Sequence, residues 1–247
     1  MTAPQPLSSV LFVGAGPGAA RHLTLGAYQA LQAAEVVIHD RLVGPEIMAL
    51  IPATVRLVDV GKEGFGPSTK QVEINAVLVA HALTGARVVR LKGGDPGIFG
   101  RLDEEIEALE ANGLPYDILP GLTSATVAAA SIGQSLTKRG RNAALRIVTG
   151  HDMAGFAEQD WRGLARAGEV AAIYMGKKSA RFIQGRLMMH GAAGDTPVTL
   201  VENVSRADQR VLATTLSALP DTVALCDGPA IILYGLAPRA AVLAIPA

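Results

Sequence analysis

The chain has 247 residues, 49% of them hydrophobic and 18% charged, so it can bury a substantial core and is not disordered as a whole. Its 22 basic and 22 acidic residues balance, which argues against nucleic-acid or membrane binding driven by net charge. The single cysteine, Cys226, cannot form an internal disulfide, and no Cys/His cluster has zinc-site spacing, so we expect no metal. No apolar run could cross a bilayer and the N-terminus lacks a secretory signal, so we expect a cytoplasmic protein.

The first half of the chain alternates short apolar runs with helical patterns. The predicted strands are "SVLFVGAG", "EVVIHD", "VRLVDVG", "ARVVRLKGGD" and "YDILPG". The predicted helices between them are "LTLGAYQALQAA", "EIMALI", "TKQVEINAVLVAHALTG" and "RLDEEIEALEANG", the last two ending in glycine. This alternation predicts a mostly parallel sheet covered by helices.

The second half begins near "LRIVTGH" and continues with "EVAAIYMG", "SARFIQGRLMMHG", "PVTLVENVS", "QRVLATTLSAL" and "PAIILYG". The strand-like segments "VTLVENVS" and "RVLATTL" are joined by the polar stretch "RADQ", which predicts a hairpin and hence a mixed sheet. The fold class is therefore α/β, with an N-terminal α/β domain over residues 1–122 and a C-terminal α/β domain over residues 123–247.

Three glycine-rich turns follow predicted strands, and in open α/β sheets ligands bind at those carboxyl ends. They are "GAGPG" (14–18), "KGGDP" (92–96) and "PGLTS" (120–124). One such turn is ordinarily structural, but three at one edge predict a ligand.

The first turn permits a dinucleotide interpretation. Gly14, Gly16 and Ala19 satisfy G-x-G-x-x-G/A, and Asp40 follows the second predicted strand. Pro17, however, removes a backbone N–H from a turn that would have to offer N–H groups to a pyrophosphate. An oxidoreductase that uses a nicotinamide or flavin dinucleotide therefore stays as the alternative function.

The second turn allows a ligand to approach the backbone. Gly93 and Gly94 let a ligand lie against bare backbone or supply a positive φ, and Asp95 can accept hydrogen bonds from hydroxyl or ammonium groups. No P-loop lysine–serine pair follows, which argues against a nucleoside triphosphate. The alternative is a tight turn capped by Asp95.

Together the turns resemble those of the uroporphyrinogen-III C-methyltransferases, a branch of the S-adenosylmethionine (SAM)-dependent tetrapyrrole methylase family. The resemblance runs from "VLFVGAGPG" to "GPAIILYG". Its matching pieces, in order, are "GAGPG", "LTL", "HDRLV", "VGK", "Q..IN", "RLKGGDP..FGR..EE", "PG.TSA", "LT.RG", "TGH", "YMG", "VEN" and "GPA". It implies two methylations of uroporphyrinogen III, at C2 and C7, to give precorrin-2 and S-adenosylhomocysteine on the cobalamin, sirohaem or haem d1 routes.

The resemblance also implies a homodimer and an active-site cleft between the two domains. The positions that match cofactor contacts are Pro17, Gly93, Gly94, Asp95, Ile98, Thr123, Ser124, Met175, Val204 and Ala230. Asp40 and Lys62 match positions proposed for proton transfer, and the substrate contacts would be Arg41, Arg101, Glu104 and Arg139. Since the family motif starts at Val10, we expect no fused domain for the later steps of sirohaem synthesis.

The chemistry agrees with this set, because arginine suits the many carboxylates of such a substrate and an aspartate can accept a proton. Structural alternatives remain: Asp40 as a turn cap, Lys62 as a surface lysine, and Arg101 with Glu104 as a helix-surface ion pair. The chain also departs from the family pattern at Ala19, Ala20, Glu63, Pro67, Leu102, Asp103 and Lys138. These departures keep open a second alternative, a non-catalytic SAM or tetrapyrrole sensor.

Overall fold

The computed structural model describes residues 10–61, 70–152 and 155–239. By its internal contacts the chain divides into two compact units, Met1–Thr123 and Ser124–Ala247. Within the described ranges, no helix has the length and apolar character needed to span a membrane.

The first unit contains a five-stranded sheet in which every pairing is parallel. Its strands are β1 (Val10–Gly14), β2 (Val36–His39), β3 (Arg56–Asp59), β4 (Val88–Lys92) and β5 (Tyr116–Leu119). They lie in the order β3-β2-β4-β1-β5, so β4 is central and next to β1. All five carboxyl ends therefore meet at one edge, as the alternating pattern predicts.

In the described part of the first unit, four α-helices cover this sheet: α1 (Leu25–Ala33), α2 (Pro45–Met48), α3 (Gln71–Ala82) and α4 (Leu102–Glu110). Helices α1 and α2 pack on one face, against Val37 and Leu91 among others, while α3 and α4 pack on the other, against Phe12 and Ile38. The glycines predicted to end α3 and α4 are confirmed, since Gly85 and Gly113 have φ values of 78° and 65°.

The second unit contains a mixed five-stranded sheet in the order β11-β10-β12-β9-β6. Its strands are β6 (Arg146–Thr149), β9 (Ala171–Tyr174), β10 (Pro197–Glu202), β11 (Arg210–Thr215) and β12 (Ala230–Tyr234). Helix α5 (Ser124–Ser131) covers one face, and the other carries α6 (Trp161–Leu164), α7 (Ala180–Met189) and α8 (Leu219–Val223). A separate two-stranded ribbon joins β7 (His151–Asp152) to β8 (Gly155–Phe156).

The predicted hairpin is confirmed, because β10 pairs antiparallel with β11 and Glu202 lies opposite Arg210. The mixed character of the second sheet is confirmed as well, since only β6 and β9 are parallel neighbours. Helices α5, α6 and α8 and the β7–β8 ribbon have no counterpart among the predicted elements.

Candidate functional site

The three predicted turns meet at the carboxyl edge of the first sheet; we call residues 14–18, 93–97 and 120–123 the first edge. Gly16 and Gly94 exchange backbone hydrogen bonds, with N···O distances of 3.1 and 2.8 Å. A Cβ added to Gly14 would lie 2.5 Å from Gly121 Cα and 2.8 Å from the Gly94 oxygen. The turns thus touch backbone to backbone, and only glycine fits between them.

Gly93 and Gly94 are glycines for different reasons. A Cβ on Gly93 would lie 3.1 Å from Leu42 Cβ, so close packing constrains this position. Gly94 instead has a φ of 71°, and a Cβ there would meet no described atom within 4 Å. The space beside Gly94 is therefore open, as a ligand that lies against bare backbone requires.

Asp95 joins two turns of the first edge. Its Oδ2 accepts a hydrogen bond from the Gly121 N–H at 2.9 Å, and its Oδ1 accepts one from the Gly97 N–H at 2.8 Å. Its backbone oxygen accepts a third from the Ile98 N–H at 3.2 Å. The carboxylate thus holds the second turn against the third, and this role differs from a direct grip on a ligand.

The first turn does not supply an anion-binding nest. The Ala15 N–H donates to the Lys92 oxygen at 2.8 Å, the Gly16 N–H donates to Gly94, and Pro17, which is buried, has no N–H. Three successive positions therefore offer no amide to a pyrophosphate, which counts against the dinucleotide interpretation.

Asp40 follows β2 directly and binds a buried arginine instead of capping its turn. Its Oδ1 lies 2.6 Å from Nη2 of Arg90, whose side chain is 1% exposed, while Asp40 itself is 30% exposed. Arg90 also contacts the buried Glu105, with Nε–Oε2 at 2.9 Å and Nη2–Oε1 at 3.0 Å. Lys92 Nζ completes the cluster, 2.7 Å from Glu105 Oε1.

Burial and mutual charge set the ionisation of this cluster. Burial, together with the neighbouring Arg90 cation, lowers the pKa of Lys92. Burial opposes ionisation of Glu105, but the charges and hydrogen bonds of Arg90 and Lys92 outweigh it and lower the pKa of that carboxyl group. The four charges of Asp40, Arg90, Glu105 and Lys92 sum to zero, and only Asp40 reaches solvent appreciably.

Arg90, Lys92 and Glu105 were not among the predicted site residues. Arg90 and Lys92 stand two residues apart in the otherwise apolar β4 and so share one face of a strand buried on both sides. A charge in such a strand must find a partner, which is the signal that the sequence contains. The sequence does not identify the partner, because Glu105 lies on helix α4 and not on the strand.

The predicted substrate contacts are exposed. Arg101 and Glu104 form a bidentate ion pair with both N···O distances at 2.7 Å, as the alternative of a helix-surface ion pair predicts. Their side-chain hydrogen bonds raise the pKa of Arg101 and lower the pKa of Glu104. Arg41 Nε lies 3.7 Å from Asp59 Oδ2. Arg139 is exposed on the turn between Lys138 and Asn142. The predicted proton-transfer residue Lys62 lies outside the described residues, as do Glu63 and Pro67.

The predicted contacts of the second unit also gather at one edge of its sheet. Because β9 and β10 both run antiparallel to β12, Met175, Val204 and Ala230 lie at the same end of these strands. Met175 is 51% exposed and Val204 is buried. Ser124 begins α5, next to Thr123 at the end of the first unit, and both are partly buried.

We call residues 175–177, 203–205 and 226–230 the second edge, and its loops are held by polar side chains. Lys177 Nζ donates to the Cys226 oxygen at 2.6 Å and to the Gly228 oxygen at 2.8 Å. The buried Glu202 accepts a hydrogen bond from the Gly228 N–H. The Asn203 N–H donates to the Pro229 oxygen at 2.9 Å.

Backbone strain marks the loops that follow β4, β9 and β10. Among the described residues, positive φ values outside glycine occur only at Phe99, Arg101, Met175, Asn203 and Ser205. Such conformations cost roughly 1–3 kcal/mol each and cluster at functional sites. Their placement supports a functional role for these loops in both units.

Residues 9–220 match the family of tetrapyrrole (corrin/porphyrin) methylases. A siroheme synthase of Edwardsiella ictaluri is 44% identical over 233 residues, which are 94% of this chain and 50% of that protein. Siroheme synthase 3 of Aeromonas hydrophila is 43% identical over 226 residues, 92% of this chain and 48% of that protein. The chain thus spans about half the length of the curated relatives that it matches.

The fold is similar to that of a solved methyltransferase. Uroporphyrin-III C-methyl transferase of Thermus thermophilus, solved in complex with S-adenyl homocysteine, superposes with a TM-score of 0.80 and 36% identity. The match covers 92% of this chain and 97% of that one. Because the family model matches most of the sequence and the α/β fold agrees with it, the chain belongs to the tetrapyrrole (corrin/porphyrin) methylase family.

Proposed function

We propose that the protein is a SAM-dependent C-methyltransferase that methylates uroporphyrinogen III at C2 and then C7, giving precorrin-2 and two molecules of S-adenosylhomocysteine. The observation that carries this proposal is the first edge, where three turns converge around open space beside Gly94. The likeness of the whole fold to a uroporphyrin-III C-methyl transferase complexed with S-adenyl homocysteine supports the choice of cofactor and substrate.

Two features of the described residues support SAM as the ligand. The bare backbone beside Gly94 leaves room for a ligand, and the half-exposed Met175 offers apolar surface suited to an adenine ring. The proposed contacts in the first unit are Pro17, Gly93, Gly94, Asp95, Ile98 and Thr123. In the second unit they are Ser124, Met175, Val204 and Ala230. Since both oxygens of Asp95 bind backbone amides, Asp95 would act by fixing the turns against which the cofactor lies.

Bound SAM supplies an electrophilic methyl group on a sulfonium that is already a good leaving group. The protein then has two tasks, to hold the nucleophilic carbon of the tetrapyrrole in line with that methyl and to remove a proton from the methylated ring. Asp40 suits the second task because it is partly exposed and firmly held by Arg90. The proton passes to its carboxylate while the C–H electron pair returns to the ring. Lys62 is the second residue proposed for proton transfer.

Exposed cationic side chains in each unit suit a substrate with many carboxylates. Arg41, Arg101 and Arg139 present exposed guanidinium groups, which bind carboxylates bidentately. Glu104 holds Arg101 in place at a distance of 2.7 Å, and this ion pair would open so that both side chains can contact the substrate. We also propose that the protein works in the cytoplasm as a homodimer.

A non-catalytic sensor is the second candidate, favoured by the departures at Leu102, Asp103 and Lys138. Anaerobic incubation with uroporphyrinogen III and methyl-labelled SAM, followed by mass analysis of the tetrapyrrole, separates the two. The enzyme transfers two labelled methyl groups, whereas a sensor binds SAM and transfers none.

Two variants guard this assay against a contaminating host enzyme. Asp40→Asn should bind SAM normally and give little product, while Asp117→Asn, at an exposed carboxylate on β5, should leave product formation unchanged. A wild-type protein that binds no SAM and transfers no methyl would refute the proposed function. One transferred methyl would restrict it to the first step.

A further inference from the structure

We propose that Arg90 is a positioning residue for the reaction: it fixes Asp40 as the base, and Glu105 and Lys92 hold Arg90 in turn. This inference rests on the proposed function and assigns a role to three buried residues that do not face solvent. The hydrogen bonds of the Arg90 guanidinium group together allow the side chain only one orientation.

Every N–H of Arg90 has an acceptor. A guanidinium group carries five N–H donors in a rigid plane. Nε donates to Glu105 Oε2 at 2.9 Å, and Nη1 donates to the backbone oxygens of Ile38 and Leu91 at 3.4 and 3.3 Å. Nη2 donates to Asp40 Oδ1 at 2.6 Å and to Glu105 Oε1 at 3.0 Å. Arg90 can therefore neither swing nor slide without breaking several contacts.

This arrangement orients Asp40. Its Oδ1 is occupied by Arg90, while its Oδ2 has no hydrogen-bond partner among the described residues. Because the side chain is 30% exposed, Oδ2 is the oxygen that can receive a proton from a substrate. One anchored oxygen and one open oxygen give the carboxylate a defined direction, which matters because a misplacement of 1 Å can cost about 100-fold in rate.

Glu105 and Lys92 complete the support. Glu105 grips Arg90 with both oxygens and also accepts from Lys92 at 2.7 Å and from Gln71 Nε2 at 3.3 Å. Buried ion pairs of this kind are weak evidence for stability, because desolvation offsets their attraction. A cluster that is buried except at one carboxylate is therefore better explained by a role at that carboxylate.

The test is a double-mutant cycle on the methyl-transfer rate, with Arg90→Gln and Asp40→Asn made singly and together. Arg90→Gln should lower kcat by about 100-fold when Asp40 is present and by less than about twofold in the Asp40→Asn background. The affinity for SAM should stay within about twofold of wild type in all variants. Arg90→Lys, which keeps the charge and loses the fork, should recover part of kcat.

Arg87→Gln is the matched control, because Arg87 precedes the same strand and makes its contacts to Glu35 and the Ala33 oxygen at the surface. It should leave kcat unchanged. If the Arg90 variants do not fold, Glu105→Gln takes their place in the same cycle, with a smaller loss that again depends on Asp40.

Equal losses from Arg90→Gln, or from its substitute, in both backgrounds would overturn the inference and assign Arg90 a purely structural role. An active wild type with such additive losses refutes this inference alone. A wild type that binds SAM but transfers no methyl refutes the proposed function and the inference with it.

Discussion

The two sheets hold the loops at their edges by different means. At the first edge, turns lie backbone against backbone, and a Cβ on Gly14 or Gly121 would collide with the backbone of a neighbouring turn. The Asp95 carboxylate adds a side-chain link between two of these turns. At the second edge, Lys177 and Glu202 reach across to the loop that precedes β12. Rigidity built from backbone contact tolerates almost no substitution, whereas rigidity built from side-chain anchors can be weakened one hydrogen bond at a time.

The largest effect should come from breaking the backbone contact at the first edge. In Gly14→Ala the new methyl would lie 2.5 Å from Gly121 Cα, and neither backbone can give way. We expect a loss of about 3 kcal/mol in the free energy of unfolding, measured by urea denaturation. Gly85→Ala is the control, since its φ of 78° makes it strained but no described atom lies within 4 Å of a Cβ there. It should lose about 1 kcal/mol, and equal losses in the two variants would refute the close-contact account.

At the second edge a side-chain anchor can be removed without a clash. Lys177→Met takes the ammonium group from the Cys226 and Gly228 oxygens, which it reaches at 2.6 and 2.8 Å. Hydrogen bonds to charged groups contribute about 2 kcal/mol, so we expect a loss of that size in thermal or urea unfolding. Lys178→Met, at the exposed neighbouring lysine, should change stability by less than about 0.5 kcal/mol. A Lys177→Met protein as stable as that control would show that the anchor contributes nothing.

The buried charges beneath the first edge should leave a signature in acid. Folding lowers the pKa of Glu105, so its contribution to stability is complete above the unfolded pKa of about 4.3 and is lost as pH falls through the lower folded value. One such proton accounts for at most about 1.4 kcal/mol per pH unit. Below about pH 4.3, the free energy of unfolding should therefore fall less steeply with pH for Glu105→Gln than for wild type. Glu107→Gln, which changes an exposed carboxylate of α4, is the control and should follow the wild-type slope. Parallel slopes would contradict the assignment.

The smallest effect on stability should come from the exposed pair. Arg101→Ala removes a helix-surface ion pair worth a few tenths of a kcal/mol and should leave SAM affinity unchanged. The KM for uroporphyrinogen III should rise about tenfold, the cost of one charge-assisted hydrogen bond. Arg162→Ala, at an exposed arginine of α6, should alter neither quantity. A matching loss of SAM affinity in Arg101→Ala would show that the pair belongs to the cofactor site.

The sequence predicts most of the architecture because strands and helices of the first unit alternate with clear apolar periods. It does not predict α5, whose stretch "SATVAAAS" lacks a periodic apolar face, nor the four- and five-residue helices α6 and α8, which are too short to show one. The β7–β8 ribbon has only two residues in each strand. Local patterns of this length do not distinguish a helix or strand from a loop.

The sequence likewise predicts only part of the candidate site. The positions of the glycine-rich turns could be read from the chain because each follows a predicted strand, and parallel strands bring their ends together. The sequence does not show why each position is glycine, since the contact of Gly93 with Leu42 and the open space beside Gly94 depend on tertiary packing. The pairing of Arg90 with Glu105 likewise depends on which face of α4 meets β4.

The most direct test of the first edge as a cofactor site is a calorimetric titration of Asp95→Ala with SAM. Loss of the carboxylate frees the Gly121 and Gly97 amides and loosens two turns, so the account predicts a protein that stays folded but binds SAM at least about tenfold more weakly. Asp117→Ala should bind like wild type. A folded Asp95→Ala protein with wild-type affinity for SAM would contradict the account, because the turns that Asp95 joins would then not be the cofactor site.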